Sequence, residues 1–311
     1  MAHLFSPMKI ARTRLSNRIA MAPLPSGCAG ADGFVSERLG EYYLQRSRGG
    51  VGLIIMEPVA VVQPPPSVAR VHIGGYADVF IPSLRWLVQQ VHQNQTVMLV
   101  TLDAPPEMAY APVATMRWLS EQFVVAAWRV LAAGFDGVML TAADGSLLHT
   151  LISPLQNTRN DDYGGTMERR LQFARHIIET IRQWMGQRLI IGFRMLADEL
   201  LPGGITLQDA RIIASHVTAA GVHLLDITAG TSGGPAAPVA QFPGWCLPLA
   251  NSIKRFVPDT PIISSGLLGE PYLADGAIRD GSIDMVMLGH TLRNNPEWPR
   301  MARSFLTAQP G

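Results

Sequence analysis

Eight short apolar runs, each followed by a stretch of helical period, constrain this chain more than any other feature of its sequence. They are Arg18–Leu24, Val51–Glu57, Thr96–Leu102, Phe135–Thr141, Leu189–Met195, Val222–Thr228, Pro261–Gly266 and Asp284–Gly289. The runs are nearly continuous in apolar residues rather than alternating, which suits parallel strands covered on both faces. The segments between them repeat apolar residues three and four apart, giving one buried stripe each. "SERLGEYYLQRSRGG" opens on a serine and closes on glycines, as helices prefer. Thr206 and Asp209 have the spacing of a cap with an acidic third residue. Eight strands alternating with eight helices is the count of a (β/α)8 TIM barrel. A doubly wound sheet would more often stop at about five or six strands. The expectation is an α/β protein, with residues 1–311 forming a single barrel domain behind a short N-terminal cap segment. Val61–Tyr76, "VVQPPPSVARVHIGGY", reads as a proline-rich loop.

Composition narrows the function. Hydrophobic residues make up 48% of the chain and charged ones 16%, enough for a large core. A formal net charge of +1 offers no phosphate track for nucleic acid and no field for an anionic membrane. Cys28 and Cys246 make no disulfide framework and no CxxC pair. No apolar stretch reaches the ~18 residues of a membrane span, and the N-terminus lacks a signal-peptide core. A soluble cytoplasmic protein is expected. HExxH, GxGxxG and Cys/His clusters are absent from the sequence, which argues against zinc hydrolysis and a Rossmann cofactor; no metal site is expected.

In a barrel, chemistry belongs to the carboxyl ends of the strands. Arg194 ends the fifth run. There it either neutralises an anionic oxygen or ring over the mouth, or pairs with a carboxylate on a neighbouring strand. "SSGLLGE" and "LGHTL" follow runs seven and eight. They read either as the two turns of a barrel phosphate site or as glycines that end strands for steric reasons. Thr141 and Asp144 follow run four. Asp144 could act as a base, hold a cation or hydroxyl, or cap the next helical turn. His149 reads as a packed or capping histidine. "SPLQNTRNDDYGG" reads as a stapled loop, with Arg159 free to pair with Asp161 or Asp162.

"SPLQNTRNDDYGGTMERRLQFARHIIETIR" resembles the Old Yellow Enzyme family of FMN-dependent NAD(P)H oxidoreductases, whose pattern here is close to SPxxNxRxDxYGGSxExRxRF. The likeness continues in "LFSPMKIARTRLSNRIAMAPL", "RGGVGLIIME", "GFDGVML" and "GSIDMVMLGHTL". It implies FMN as cofactor, NAD(P)H as reductant, a small-molecule substrate and a homo-oligomer. It places Ala22, Pro23 and Leu24 beside the flavin along with Pro58, Arg194 at the flavin N1/O2 edge, and Gly266 and Gly289 in the phosphate loops.

The chain departs from the pattern where the chemistry lies. Thr141 and Asp144 replace the His-x-x-His or His-x-x-Asn that holds a substrate carbonyl. Ser146 stands for the proton-donating tyrosine. Thr101 replaces the glutamine on the flavin pyrimidine, Pro25 the residue near the flavin C4 oxygen, and His290 the arginine after the last strand. The resemblance therefore implies a flavin oxidoreductase with an altered substrate site, in which Asp144, Thr141 and Ser146 are the candidate catalytic residues. The alternative is a flavin-free relative that works as an isomerase, lyase or cyclase, or as a binding partner.

Overall fold

The computed structural model describes residues 2–30, 32–64, 73–230 and 242–308. Among them, eight parallel strands close into a ring. They are β3 (Ile19–Met21), β4 (Leu53–Ala60), β6 (Val97–Asp103), β7 (Gly137–Ala142), β8 (Ile190–Leu196), β9 (Leu224–Thr228), β10 (Ile262–Ser264) and β11 (Met285–Leu288). Pairing of β3 with β11 on one side and β4 on the other closes the ring. The (β/α)8 barrel expected from the eight apolar runs is the fold observed. Its outer ring includes α1 (Glu37–Arg48), α2 (Ile81–His92), α3 (Val113–Ala133), α5 (Met167–Met185), α6 (Leu207–Ala220), α7 (Leu247–Phe256), α8 (Pro271–Arg279) and α10 (Trp298–Thr307). Ser36 caps α1, and Thr206 with Asp209 forms a full capping box on α6.

Two apolar cores result. The larger lies between strands and helices. The smaller fills the barrel with Leu53, Leu99, Met139, Leu224 and Ile263. Ile10 and Leu15 join this inner cluster from the hairpin β1 (Met8–Ile10) and β2 (Thr13–Leu15), which closes the amino-terminal end. Among the described residues this hairpin covers that end, which leaves the carboxyl end for a site.

Three further short elements are not legible as runs. A two-residue strand, β5 (Ile73–Gly74), pairs in parallel with the end of β4 within the stretch read as loop. Residues 65–72 of that proline-rich reading lie outside the described residues. The others are α4 (Leu147–Ile152) and α9 (His290–Asn294). The stretch after α4 is stapled as expected. Arg159 donates to Ala109 O at 2.6 Å and Ala111 O at 2.7 Å and pairs with Asp161 at 2.6 Å. Asn157 Nδ2 donates to Tyr163 O at 2.7 Å.

His223, entering β9, accepts the Ile191 N–H on Nδ1 at 3.0 Å. Burial, with Arg182 nearby, pushes its pKa from 6.5 down to about 4. The unfolded chain then takes up this proton before the native one does. Stability is full above the unfolded value and is lost as pH falls toward the native one. The half-buried ring limits the effect to about 2 kcal/mol. Urea titrations of His223→Asn should show a flatter pH dependence across that interval; a slope equal to wild type would refute the assignment.

Candidate functional site

Side chains alternate along a strand, so β8 sends Ile190, Gly192 and Arg194 inward. Arg194 is the outermost of the three. In register it lies opposite Thr141 on β7 and Asp226 on β9. Its Nη1 donates to Asp226 Oδ2 at 2.7 Å and its Nη2 to Asp144 Oδ2 at 3.2 Å. Of the two alternatives read for Arg194, the pairing with a strand-borne carboxylate is the one observed, at the carboxyl end of β8. Burial disfavours the guanidinium charge, but Asp226 and Asp144 outweigh it and hold Arg194 above its ordinary range.

Asp226 is the residue that the sequence reading passes over. It is fully buried, and its Oδ1 has no partner among the described residues. Burial pushes its carboxyl up, and Arg194 pulls it back. A lone acid inside "LLDIT", a run that otherwise reads as buried strand, was the available signal, because a buried charge needs a partner.

Asp144 adopts φ 57°, a left-handed conformation that aspartate tolerates better than most residues. Its side chain is 47% exposed, so one face meets Arg194 while the rest stays open. It does not cap the following turn. Ser146 does: its Oγ accepts from His149 N at 3.3 Å and donates to Thr141 O at 2.6 Å. Ser146 is thus accounted for by the fold. Thr141 lies within β7 rather than past it, half-buried beside Arg194.

His149 is fully buried, as the packed-histidine reading expects. Gly145 N donates to its Nδ1 at 3.0 Å, so Nε2 carries the proton and donates to Glu199 Oε1 at 3.1 Å. Ser153 Oγ reaches both Glu199 oxygens at 2.9 Å, and Ile205 N donates to Oε2 at 2.7 Å. This network ties the turn carrying Asp144 to the loop after β8. Glu199 gave no local sequence signal; its partners come from distant segments.

The other singled-out residues ring the same end. Ala22 N donates to Leu288 O at 3.0 Å, and a Cβ added to Gly289 would sit 3.0 Å from Leu24 and 3.5 Å from Ala22. Pro23 follows, half-buried, and Pro25 is exposed. Pro58 sits where the β4–β6 register shifts, as a residue without an N–H should. Thr101 is buried, and its hydroxyl proton is committed to Met56 O at 2.9 Å. Gly266 has φ 114°, a backbone that only glycine adopts readily. His290 is exposed at the start of α9.

A closed barrel with one mouth, a guanidinium at its rim and two glycine turns beside it defines a class of barrel proteins built to hold an anionic group at the strand ends. The chain matches the NADH:flavin oxidoreductase / NADH oxidase family over residues 3–117 and 115–309, and it belongs to that family. It is 35% identical to the NADH oxidase of Thermoanaerobacter brockii over 97% of this chain and 50% of that protein. It is 30% identical to the NADPH dehydrogenase of Listeria welshimeri, over 97% of this chain and 94% of that one. Among solved structures, 2-naphthoyl-CoA reductase bound to 2-naphthoyl-CoA superposes with a TM-score of 0.89 at 22% identity, over 97% of this chain and 52% of that one; this likeness concerns the fold. The chain thus spans about half the length of some relatives and nearly all of others.

FMN is the cofactor that this family implies, with a nicotinamide reductant. The donor set fits it. Arg194 keeps N–H groups beyond the two it spends on carboxylates. Among the described residues, Leu267, Leu268 and Gly269 donate no main-chain hydrogen bond. A Cβ on Gly269 would lie 2.6 Å from Thr291 Oγ1, so the two glycine turns adjoin. A cation and a cluster of unspent amides around one opening match an anionic ring and a phosphate.

Proposed function

We propose that the protein is an FMN-dependent oxidoreductase acting on a small organic substrate that presents a hydrogen-bond donor to Asp144. FMN, when bound, would take a hydride from one partner, such as NAD(P)H, and pass it to another. Arg194 would hold its ring edge. The backbone around Ala22, Pro23, Leu24 and Pro25, with Pro58 and Thr101, would line its seat. The turns at Gly266, Gly289 and His290 would hold its phosphate.

The observation that carries this reading is the half-exposed Asp144 carboxylate beside Arg194. An ionised carboxylate accepts hydrogen bonds and gives none. A donor aimed at a developing oxyanion is worth about 2.7–4 kcal/mol, so a mouth that offers an acceptor instead is ill suited to reducing enones. It is suited to fixing a hydroxyl or an amine and to receiving its proton. Thr141 adds a second polar contact next to it. Ser146 takes no proton-transfer role in this proposal, because its hydroxyl serves the turn.

The first test is colour. Purified protein should be yellow, release FMN on denaturation, and bleach with NADH or NADPH without oxygen. A colourless preparation that FMN cannot reconstitute would sink the proposal. The second test is Asp144→Asn. Losing a charged hydrogen bond should lower kcat/KM for hydroxyl- and amine-bearing substrates about 10–100-fold. Activity on a simple cyclic enone should not fall with it. Equal losses on both substrate types would show that Asp144 does not select the donor.

A further inference from the structure

We propose that Asp226 is a positioning residue for Arg194: its buried carboxylate aims the guanidinium at the barrel mouth and offsets its charge there. The inference rests on the flavin reading above and adds a residue to it. If it holds, the negative charge that a bound flavin ring carries is governed by Asp226 as well as by Arg194.

Geometry supports the first half. Arg194 and Asp226 are register partners on adjacent strands, joined at 2.7 Å. Asp226 is fully buried, next in register to Ile263 and above an inner cluster of Leu224, Met139 and Leu99. The guanidinium has no polar group of that cluster to turn to, so the bond to Asp226 fixes which way it faces. Asp144, the other partner, stands on a left-handed turn and is half-exposed. Its hold is looser and screened by water.

The charge supports the second half. Among the described residues, Asp226 Oδ1 is buried without a partner. An asparagine would keep an acceptor for Nη1, and an apolar pair of similar size would be cheaper to bury. Stability gives no account of the negative charge, whereas electrostatics at the mouth does. A carboxylate in this dry layer acts on the guanidinium more strongly than one in water. The two carboxylates are therefore unequal, and Asp226 dominates.

The test uses FMN-loaded protein. Asp226→Asn should make bound FMN easier to reduce, raising the ratio of oxidised to reduced FMN dissociation constants at least tenfold. That is about 30 mV for a two-electron couple. Asp144→Asn should shift the ratio the same way by less. Asp226→Ala, which removes aim and charge together, should weaken FMN binding in both states. Asp226→Ser is neutral and small; it should give the sign of Asp226→Asn and serves where that variant fails to fold. A merely structural pair would lower the melting temperature and leave the potential unchanged, and that result overturns the proposal while the flavin reading stands. Wild-type protein that takes up no FMN overturns both.

Discussion

Replacing Glu199 with alanine should destabilise the protein by about 4 kcal/mol, with the urea midpoint falling and the slope unchanged. The side chain is 1% exposed and receives the His149 Nε2–H, the Ser153 hydroxyl and the Ile205 N–H. Truncation strands three buried donors, each worth about 1–3 kcal/mol when left unmade. Rearrangement and water entry keep the total below their sum. Glu199→Gln should cost about half as much, since one oxygen still accepts. The pH dependence has a definite sign. Burial raises the Glu199 carboxyl, but hydrogen bonds from His149, Ile205 and Ser153 outweigh it and hold it below the usual glutamate value. A depressed native value means stability that is present above the unfolded value and lost as pH falls through the native one. The alanine variant should therefore lack this part of the acid response, and its deficit should narrow in acid. A deficit that is constant with pH would show that the fold does not hold the Glu199 carboxyl below its unfolded value. The same variant frees His149, whose Nδ1 holds the Gly145 N–H next to Asp144, so it should also loosen the turn that presents Asp144.

The barrel was legible because its strands are buried on both faces. "TVMLVTL" and "FDGVML" cannot alternate when helices cover one side and the inner cluster fills the other. Helix ends were legible where one residue carries the signal, as with Ser36 on α1 and Thr206 with Asp209 on α6. The hairpin β1–β2 was not, since three residues a strand show no period. At the site, Arg194 stood out because it interrupts an apolar run at its end. Asp226 and Glu199 did not, because what defines them is a partner 32 or 50 residues away in sequence. Asp144 was legible as an acid in an unusual place, but its pairing with Arg194 depends on a backbone turn at φ 57° that no local pattern announces.

Arg194→Met should weaken FMN binding about a hundredfold, read by quenching of FMN fluorescence as apoprotein is added. Methionine keeps the volume of the stem and removes the guanidinium N–H groups. Arg194→Lys should lose about tenfold: one ammonium can face Asp226, but as a point charge it cannot fork between Asp226 and Asp144. The methionine variant also tests the pair from the other side. Asp226 would be left buried without its cation, at a cost of about 3–5 kcal/mol at neutral pH. Burial already pushes this carboxyl up, with Arg194 the main opposing influence. Without Arg194 the native value rises further above the unfolded one. The unfolded chain then ionises first as pH rises, and the native state loses stability over that interval. The deficit against wild type should be largest near neutrality and shrink as pH drops toward the ordinary aspartate value. Asp226→Asn placed on top of Arg194→Met should recover most of the loss, because the amide carries no charge to strand. A double variant no more stable than Arg194→Met alone would mean that Asp226 and Arg194 do not act as a pair.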